Sequence, residues 1–153
     1  MWREMMEEFK LRWNEIASKK RIEVHINSYT VSEMQRMTME KFVQKENAQI
    51  ARIFSVKDPN VDVIYVSPFT LTTDVYKYYV KILDLVEIEN PEKRFNVVVP
   101  ENYVKFPQHF STAQVLLYSP KALQRIQNLI KGRQAYIVPQ IAGEQDLKLS
   151  QLL

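Results

Sequence analysis

The sequence predicts an α/β fold: a mostly parallel sheet of about four strands, covered by helices on both faces and preceded by an amphipathic helix. Three short apolar runs, rich in β-branched residues, each close on a proline, which cannot continue the hydrogen bonds of a strand ladder. They are Val61–Pro68, Phe95–Pro100 and Ala135–Pro139. Strands that are apolar throughout need cover on both faces, and the segments between these runs have the helical period that such cover requires.

Length and composition predict a single domain with a substantial core. A chain of 153 residues buries roughly 70% of the surface that its unfolded form exposes. Its residues are 46% hydrophobic and 25% charged, and no apolar run approaches the ~20 residues of a membrane span. The amino terminus lacks the apolar segment of a secretory signal, and the sequence has no cysteine. These features favour a cytoplasmic protein without disulfides or thiolate chemistry.

The predicted amino-terminal helix, residues 2–19, carries its large apolar side chains on one stripe, with spacings of four and three residues. A stripe of this kind can pack on its own domain or dock in the groove of a partner such as calmodulin. We keep both interpretations open for the five residues of the stripe. They are Trp2, Met6, Phe9, Trp13 and Ile16.

The first part of the α/β region is predicted to contain a strand, a helix and the central strand. The run Ile22–Asn27 alternates apolar and polar residues, which is typical of a strand. The apolar residues within 39–54 have helical spacing, and Thr38 or the earlier Ser32 can cap that helix. A turn then leads into the central strand.

After the central strand, Thr72 or Thr73 can cap a helix that we expect to end at Asn90-Pro91. Residues 101–111 are rich in aromatic and turn residues and are predicted to be irregular, whereas 112–118 fits a strand or a short helix. The buried stripe of the helix is predicted to consist of Val75, Tyr79, Ile82 and Val86.

The next helix is well delimited. Ser119 is its predicted cap, Pro120 its first residue, and Gly132 lies just past its end. After the last strand, Glu144 begins a further helix that we expect to be truncated by the end of the chain.

The chain lacks the motifs of common enzymes. With two glycines in all, neither a P-loop nor a G-x-G-x-x-G fingerprint can be written. His25 and His109 are far apart and have no cysteine to join them in a zinc site. The residue types of a catalytic triad are present in Ser67, His25 and Asp74. We do not predict a triad, however, because the serine is not part of a G-x-S-x-G motif. We therefore predict no catalytic residue, no metal and no cofactor in this chain.

A ligand-binding site, if one exists, is predicted beyond the carboxyl ends of the strands, where open parallel sheets bind their ligands. The alternative is that the polar residues at these strand ends satisfy local backbone groups in turns. The candidate cleft residues are Asn27, Ser28, Ser67, Thr70 and Glu101.

Charge is unevenly distributed along the chain, whose net charge is +3. No acidic residue lies between Asn102 and Gly143. Such a stretch can form a basic surface for RNA, with Tyr118 and Tyr136 available for stacking, although no RRM or KH motif supports this alternative. The simpler interpretation is a solvated helix face with loop lysines. The bases are Lys105, Lys121, Arg125, Lys131 and Arg133.

The segment Ile126–Gly132 matches the opening of a calmodulin-binding IQ motif, I-Q-x-x-x-(R/K)-G. Tyr136 replaces the basic residue expected four places after the glycine. The match is therefore incomplete. In addition, Ile126 and Ile130 are expected in the apolar stripe of their own helix.

The closing stretch, Tyr136–Leu153, resembles the end of the pre-ATP-grasp domain of ATP-grasp proteins. In that family a strand ending in Y-x-V-P is followed by a loop and a D-L-x-L helix, and the corresponding residues here are Tyr136–Pro139 and Asp146–Leu149. The alternating strands and helices from Ile22 onward are similar to the Rossmann-like, three-layer pre-domain of the family. The chain also resembles the part of calmodulin-associated IQ-motif proteins, found in sperm and other ciliated tissue, that precedes their ATP-grasp-like region.

This resemblance implies an amino-terminal helix over residues 1–21 and a pre-ATP-grasp-like domain over 22–153. In the family, ATP, magnesium and the ligase carboxylates belong to the domain that follows. The resemblance therefore implies a non-catalytic domain that packs against an ATP-grasp module and helps shape its substrate cleft. It also implies calmodulin as a candidate partner, an IQ segment before the first helix, and a ciliary or sperm-associated location in the cytoplasm.

Overall fold

The computed structural model describes residues 2–27 and 31–153 and confirms the predicted α/β fold. Its four strands are all parallel and lie in the order β3-β2-β1-β4, as expected of a Rossmann-like sheet. Each lies where the sequence predicts it. The strands are β1 (Arg21–Ile26), β2 (Val61–Val66), β3 (Phe95–Val98) and β4 (Gln134–Val138).

Helices cover both faces of the sheet, which gives three layers. The α-helices are α1 (Trp2–Ala17), α2 (Glu33–Thr38), α3 (Phe42–Asn47), α4 (Thr73–Leu85), α5 (Pro91–Arg94), α6 (Thr112–Leu117), α7 (Pro120–Ile130) and α8 (Glu144–Leu152). Ala48–Lys57 and Tyr103–Lys105 are 3₁₀ helices.

The core consists of one apolar cluster on each face of the sheet. On one face, Ile22, Val24 and Ile26 of β1 pack with the buried residues of α6, α7 and α8. On the other face, the alternate residues of β2 pack with α4 and with the 3₁₀ helix Ala48–Lys57. The alternate residues of β1 on this second face are polar, and they form the cluster described below.

The single helix predicted over residues 39–54 is wrong, because the structure divides this region. Ser32 and Gln35 form a reciprocal capping box that starts α2 earlier, and Thr38 ends α2 instead of capping a helix. Lys41 then adopts a left-handed conformation with φ of 54°, which an α-helix cannot contain.

The predicted stripe of α4 is rotated by about one residue from the face that is buried. Val75 and Val86, at the two ends of that stripe, are exposed. Val80 and Leu83 are buried instead, and Tyr76 stacks on Phe95 of β3 at 5.7 Å. Contact with β3 decides the rotation, because both stripes have helical spacing and only the packing partner distinguishes them.

Two boundaries also differ from the prediction. The helix α4 ends at Leu85, before Asn90-Pro91, and Pro91 instead begins the short α5. The ambiguous segment 112–118 is helical, because Ser111 and Gln114 form a second capping box at the start of α6.

Candidate functional site

The candidate cleft lies at the carboxyl edge, the side of the sheet at which all four parallel strands end. Asn27 follows β1, Ser67 follows β2 and Glu101 lies just after β3. Thr70 is exposed in the segment before α4. Ser28 lies outside the described residues. The strand-end argument therefore places the described candidates at one edge, but their side chains have different roles.

Asn27 and Ser67 are fully buried and belong to one hydrogen-bond network. The Asn27 side-chain amide donates to Tyr65 Oη at 2.6 Å, and Tyr65 Oη in turn donates to Asn47 Oδ1 at 3.2 Å. Ser67 Oγ lies 2.6 Å from the carbonyl oxygen of Phe69 and 3.3 Å from the same Asn47 oxygen. Burial raises the pKa of Tyr65 to about 12. These groups join the ends of β1 and β2 to α3, which is a structural role.

Glu101 caps the helix α7. Its two carboxylate oxygens accept hydrogen bonds from the backbone N–H groups of Lys121 at 2.9 Å and Ala122 at 3.1 Å. Partial desolvation acts to raise the pKa of Glu101, but these hydrogen bonds outweigh it and lower the pKa. Ser119 lies at the predicted N-cap position, but its side chain does not cap α7, because its hydroxyl donates to the Val115 carbonyl oxygen instead.

Three other helices that begin at the carboxyl edge are capped by side chains of the chain itself. Ser32, Thr72 and Ser111 cap α2, α4 and α6. At α8, Asp146 accepts the N–H of Gly143 at 2.9 Å, but no side chain of the described residues caps the N–H groups of the first turn. Phosphate sites of the usual kind need free N–H groups at a helix amino terminus, and at α2, α4 and α6 a side-chain oxygen of the chain already occupies part of that position.

An apolar cavity of about 340 Å³ opens at the carboxyl edge, beside the ends of β2 and β3. Phe106 is one of its lining residues, stacked on Phe110 at 5.5 Å and close to Tyr118 at the same distance. Such a wall accepts apolar or aromatic groups. The aromatic residues of the predicted irregular segment were the available signal for it. Its aromatic and proline lining is Pro68, Phe69, Pro100, Tyr103, Phe106, Pro107 and Phe110.

A buried carboxyl group lies one hydrogen bond behind this cavity. Thr112, which lines the cavity, donates its hydroxyl to Glu46 Oε2 at 3.0 Å. Burial raises the pKa of Glu46 to about 8, and the Thr112 hydrogen bonds and the charge of Arg36 reduce this rise only in part. Glu46 is not predictable as a buried acid from the sequence, since the helical spacing within 39–54 places it in the middle of one long helix.

The predicted partner stripe of α1 is only partly covered. Phe9 is 58% and Trp13 39% exposed, while Met6 and Ile16 are half-buried. Trp2 begins α1, and its side chain lies outside the described part of the chain. The Phe9 ring stacks on Trp13 at 6.3 Å, so the stripe presents two neighbouring aromatic rings.

A polar platform, formed by Arg21, Glu23 and His25 of β1 with Tyr136 of β4, lies near the end of α1. Tyr136 Oη donates to Glu23 Oε1 at 2.7 Å, and His25 Nε2 lies 3.0 Å from Glu23 Oε2. Burial acts to raise the pKa of Glu23, but its hydrogen bonds, that from His25 foremost, outweigh burial and lower the pKa to about 2. Arg21 Nε donates to Tyr136 Oη at 3.3 Å. The platform is thus held together by charge.

The basic stretch between Asn102 and Gly143 does not form one patch with both of its tyrosines. Arg133 forms an ion pair with Asp62 of β2, and Tyr136 is half-buried in the polar platform. Lys121 and Arg125 are exposed on α7. The IQ-like segment belongs to the core, since its Ile126 is fully buried.

Within residues 2–27 and 31–153, no group of three or more metal-ligating side chains is close enough to hold an ion. None of the helices in the same ranges has both the length and the apolarity of a bilayer-crossing segment.

The chain is 35% identical over 155 residues to IQ motif-containing protein H of Danio rerio. The match covers 94% of this chain, whereas the chain spans only 15% of the length of that protein. No family model and no solved structure matches the chain. The chain is therefore similar to one segment of a much longer IQ motif-containing protein.

Proposed function

We propose that the chain is a non-catalytic, pre-ATP-grasp-like domain of a longer IQ-motif protein, and that it packs against an ATP-grasp module to form one wall of its substrate cleft. The observation that carries this proposal is that the polar groups at the carboxyl edge are engaged in hydrogen bonds within the chain. Ser67 and Glu101 form hydrogen bonds within the chain, and Asn27 donates its amide to Tyr65, while its Oδ1 accepts no hydrogen bond from the described residues. Capping side chains occupy the amino termini of α2, α4 and α6.

The apolar cavity at the same edge supports the packing role. Aromatic rings and prolines surround its 340 Å³, and Val104 beside them is exposed. A surface of this composition is stabilised by burial against a neighbouring domain. ATP and magnesium would then be bound by the neighbouring module, and this domain would form one wall of its substrate cleft.

A calorimetric titration with Mg-ATP tests the non-catalytic part of the proposal. We expect no micromolar binding to this chain, because side chains cap α2, α4, α6 and α7 and no glycine-rich phosphate loop can be written. Micromolar binding would contradict the proposal.

The packing part is tested by hydrogen exchange in the longer protein that contains this chain. We expect slower exchange of residues 103–110 there than in the chain alone, because the cavity wall becomes covered. Phe106→Ala should reverse this protection, whereas Leu147→Ala, on the exposed side of α8, should preserve it. Equal exchange in both proteins would argue against packing at this edge.

A second candidate function is calmodulin binding through α1, and the exposure of Phe9 and Trp13 favours it. At 3.6 residues per turn, Arg3 and Lys10 border the apolar stripe on one side and Arg12 on the other, while the glutamates lie on the far side of the helix. This arrangement fits an apolar groove with an acidic rim. The tryptophan fluorescence of a peptide of residues 2–21 should shift when calmodulin is added, with or without calcium. No shift in either state would eliminate this candidate.

A further inference from the structure

In the apolar stripe of α1, Trp13 contacts two residues of the polar platform. The Trp13 ring meets Tyr136 edge to face at 5.8 Å, and the Arg21 guanidinium lies 5.9 Å from the centre of the same ring. Trp13 nevertheless remains 39% exposed, and the adjoining Phe9 ring is more exposed still. At Trp13 the apolar stripe therefore faces a largely polar surface, and its two aromatic rings remain partly exposed to solvent.

The polar platform depends little on α1 for its structure. Tyr136, Glu23 and His25 bond to one another within the sheet, and Arg21 donates to Asp58 Oδ2 at 2.9 Å. Among the described residues, one hydrogen bond joins the platform to the helix backbone, from Arg21 Nη1 to the Ala17 carbonyl oxygen at 3.0 Å. If α1 separates from the platform, the surface that it uncovers consists largely of charged groups, which water can hydrate. The separation therefore exposes little apolar surface on the sheet.

We propose that Trp13 is the anchor that α1 offers to a partner protein with an apolar groove rimmed by carboxylates, and that Tyr136 competes with the partner for this same side chain. The inference rests on the second proposed function and adds its regulation. The bases beside the stripe, Arg3, Lys10 and Arg12, supply the charge complementarity. Phe9, stacked on Trp13, enters the groove with it.

Competition of this kind changes the affinity for the partner by a measurable factor. A partner that needs the released helix binds with an affinity reduced by the fraction of molecules in which α1 is free. One aromatic pair, one cation–π contact and the hydrogen bond from Arg21 to Ala17 join α1 to the platform. Removing the aromatic pair alone should tighten partner binding about fivefold.

Calmodulin is the probe for the competition, and Trp2→Phe makes Trp13 the sole fluorescent tryptophan. In this background, Tyr136→Val removes the ring and keeps a β-branched strand residue, so we expect calmodulin to bind about fivefold more tightly. Tyr136→Phe keeps the ring and should bind like the parent. Trp13→Ala should lose most of the affinity in every background.

The outcomes separate the two proposals. Equal affinity for the parent and Tyr136→Val would overturn the competition and leave calmodulin binding intact. Failure of the 2–21 peptide to bind calmodulin would overturn the partner chemistry as well, since the peptide has no platform to compete. Binding of α1 to phosphatidylcholine–phosphatidylserine vesicles in place of calmodulin would replace the protein partner by a membrane.

A measurement without any partner guards against a folding defect in the variant. In the Trp2→Phe background, acrylamide should quench Trp13 more strongly in Tyr136→Val than in Tyr136→Phe, with unchanged circular dichroism. Equal quenching of these two folded variants would show that Tyr136 does not hold α1 and would overturn the proposal.

Discussion

The polar platform beside α1 and the region behind the carboxyl-edge cavity each bury a glutamate, with opposite results. Glu23, in the platform, meets a tyrosine hydroxyl and a histidine nitrogen, with Arg21 close by, and its pKa is lowered to about 2. Glu46, behind the cavity, has one side-chain hydroxyl donor, that of Thr112, and burial raises its pKa to about 8. Burial favours the neutral acid, so the deeper burial of Glu46 and the larger set of side-chain donors around the half-buried Glu23 together decide which form each site keeps.

This difference agrees with the separate roles proposed for the two regions. The platform is charged and internally bonded, so it can lose the cover of α1 and remain intact. Behind the cavity Glu46 is kept neutral by burial, and the cavity wall in front of it carries aromatic rings and prolines, which suits close packing with another domain. The following substitutions test the comparison.

The largest effect is expected from Glu46→Gln, which keeps the shape of the side chain and removes its ionisation. Because the folded pKa of about 8 lies above the unfolded value, the contribution of Glu46 to stability is complete below about pH 4.5 and is lost as the pH rises toward 8. Glutamine avoids this loss, so the variant should be more stable by about 2–4 kcal/mol at pH 8. Urea unfolding measures the difference, which should vanish near pH 4. A difference that shrinks as the pH rises would refute the assignment of a neutral Glu46.

The reverse sign is expected for Glu23→Gln. The folded pKa of Glu23, about 2, lies below the unfolded value, so its contribution to stability is present above about pH 4.5 and is lost as the pH falls toward 2. Removing the charge should cost about 2–3 kcal/mol at pH 7. Glu89→Gln, at an exposed position, serves as the matched control and should leave the unfolding curve unchanged. Equal curves for Glu23→Gln and this control would mean that the platform carries no stabilising charge.

The strands were the most predictable part of the fold. Strands such as Val61–Val66 are buried on both faces and therefore leave a continuous apolar run in the sequence. The helical region after β1 was less predictable. Ser32 was a possible cap, but the apolar spacing within 39–54 indicated one helix in place of the short α2 that the capping box of Ser32 and Gln35 begins. Where two local signals compete, tertiary packing decides between them.

The candidate site was predictable in position but not in role. Strand ends place Asn27, Ser67 and Glu101 at the carboxyl edge, yet the sequence does not show whether such side chains turn inward. The pairing of Glu23 with Tyr136 depends on the register of β1 and β4, which join residues more than a hundred positions apart. No local pattern contains that information.

A smaller effect is expected from Thr112→Val, which removes the side-chain hydroxyl donor of Glu46 and keeps the side-chain shape. Losing the 3.0 Å hydrogen bond should cost about 1–2 kcal/mol in urea unfolding. The cost should grow above pH 8, because the ionised carboxylate needs the donor more than the neutral acid does. The control is Thr70→Val at the exposed end of the same edge, and a similar loss there would show that the hydroxyl of Thr112 has no special role.

The smallest effect is expected from Glu101→Ala, which uncaps α7 at the carboxyl edge. Loss of the two hydrogen bonds to Lys121 and Ala122 should cost about 1 kcal/mol. The variant also frees N–H groups at a helix amino terminus, so sulfate should raise its melting temperature more than that of the parent. Equal stabilisation of both proteins would be the general effect of an excluded salt. It would show that the N–H groups freed by Glu101→Ala bind no anion, so capping by Glu101 would not be the reason that phosphate is kept from this edge.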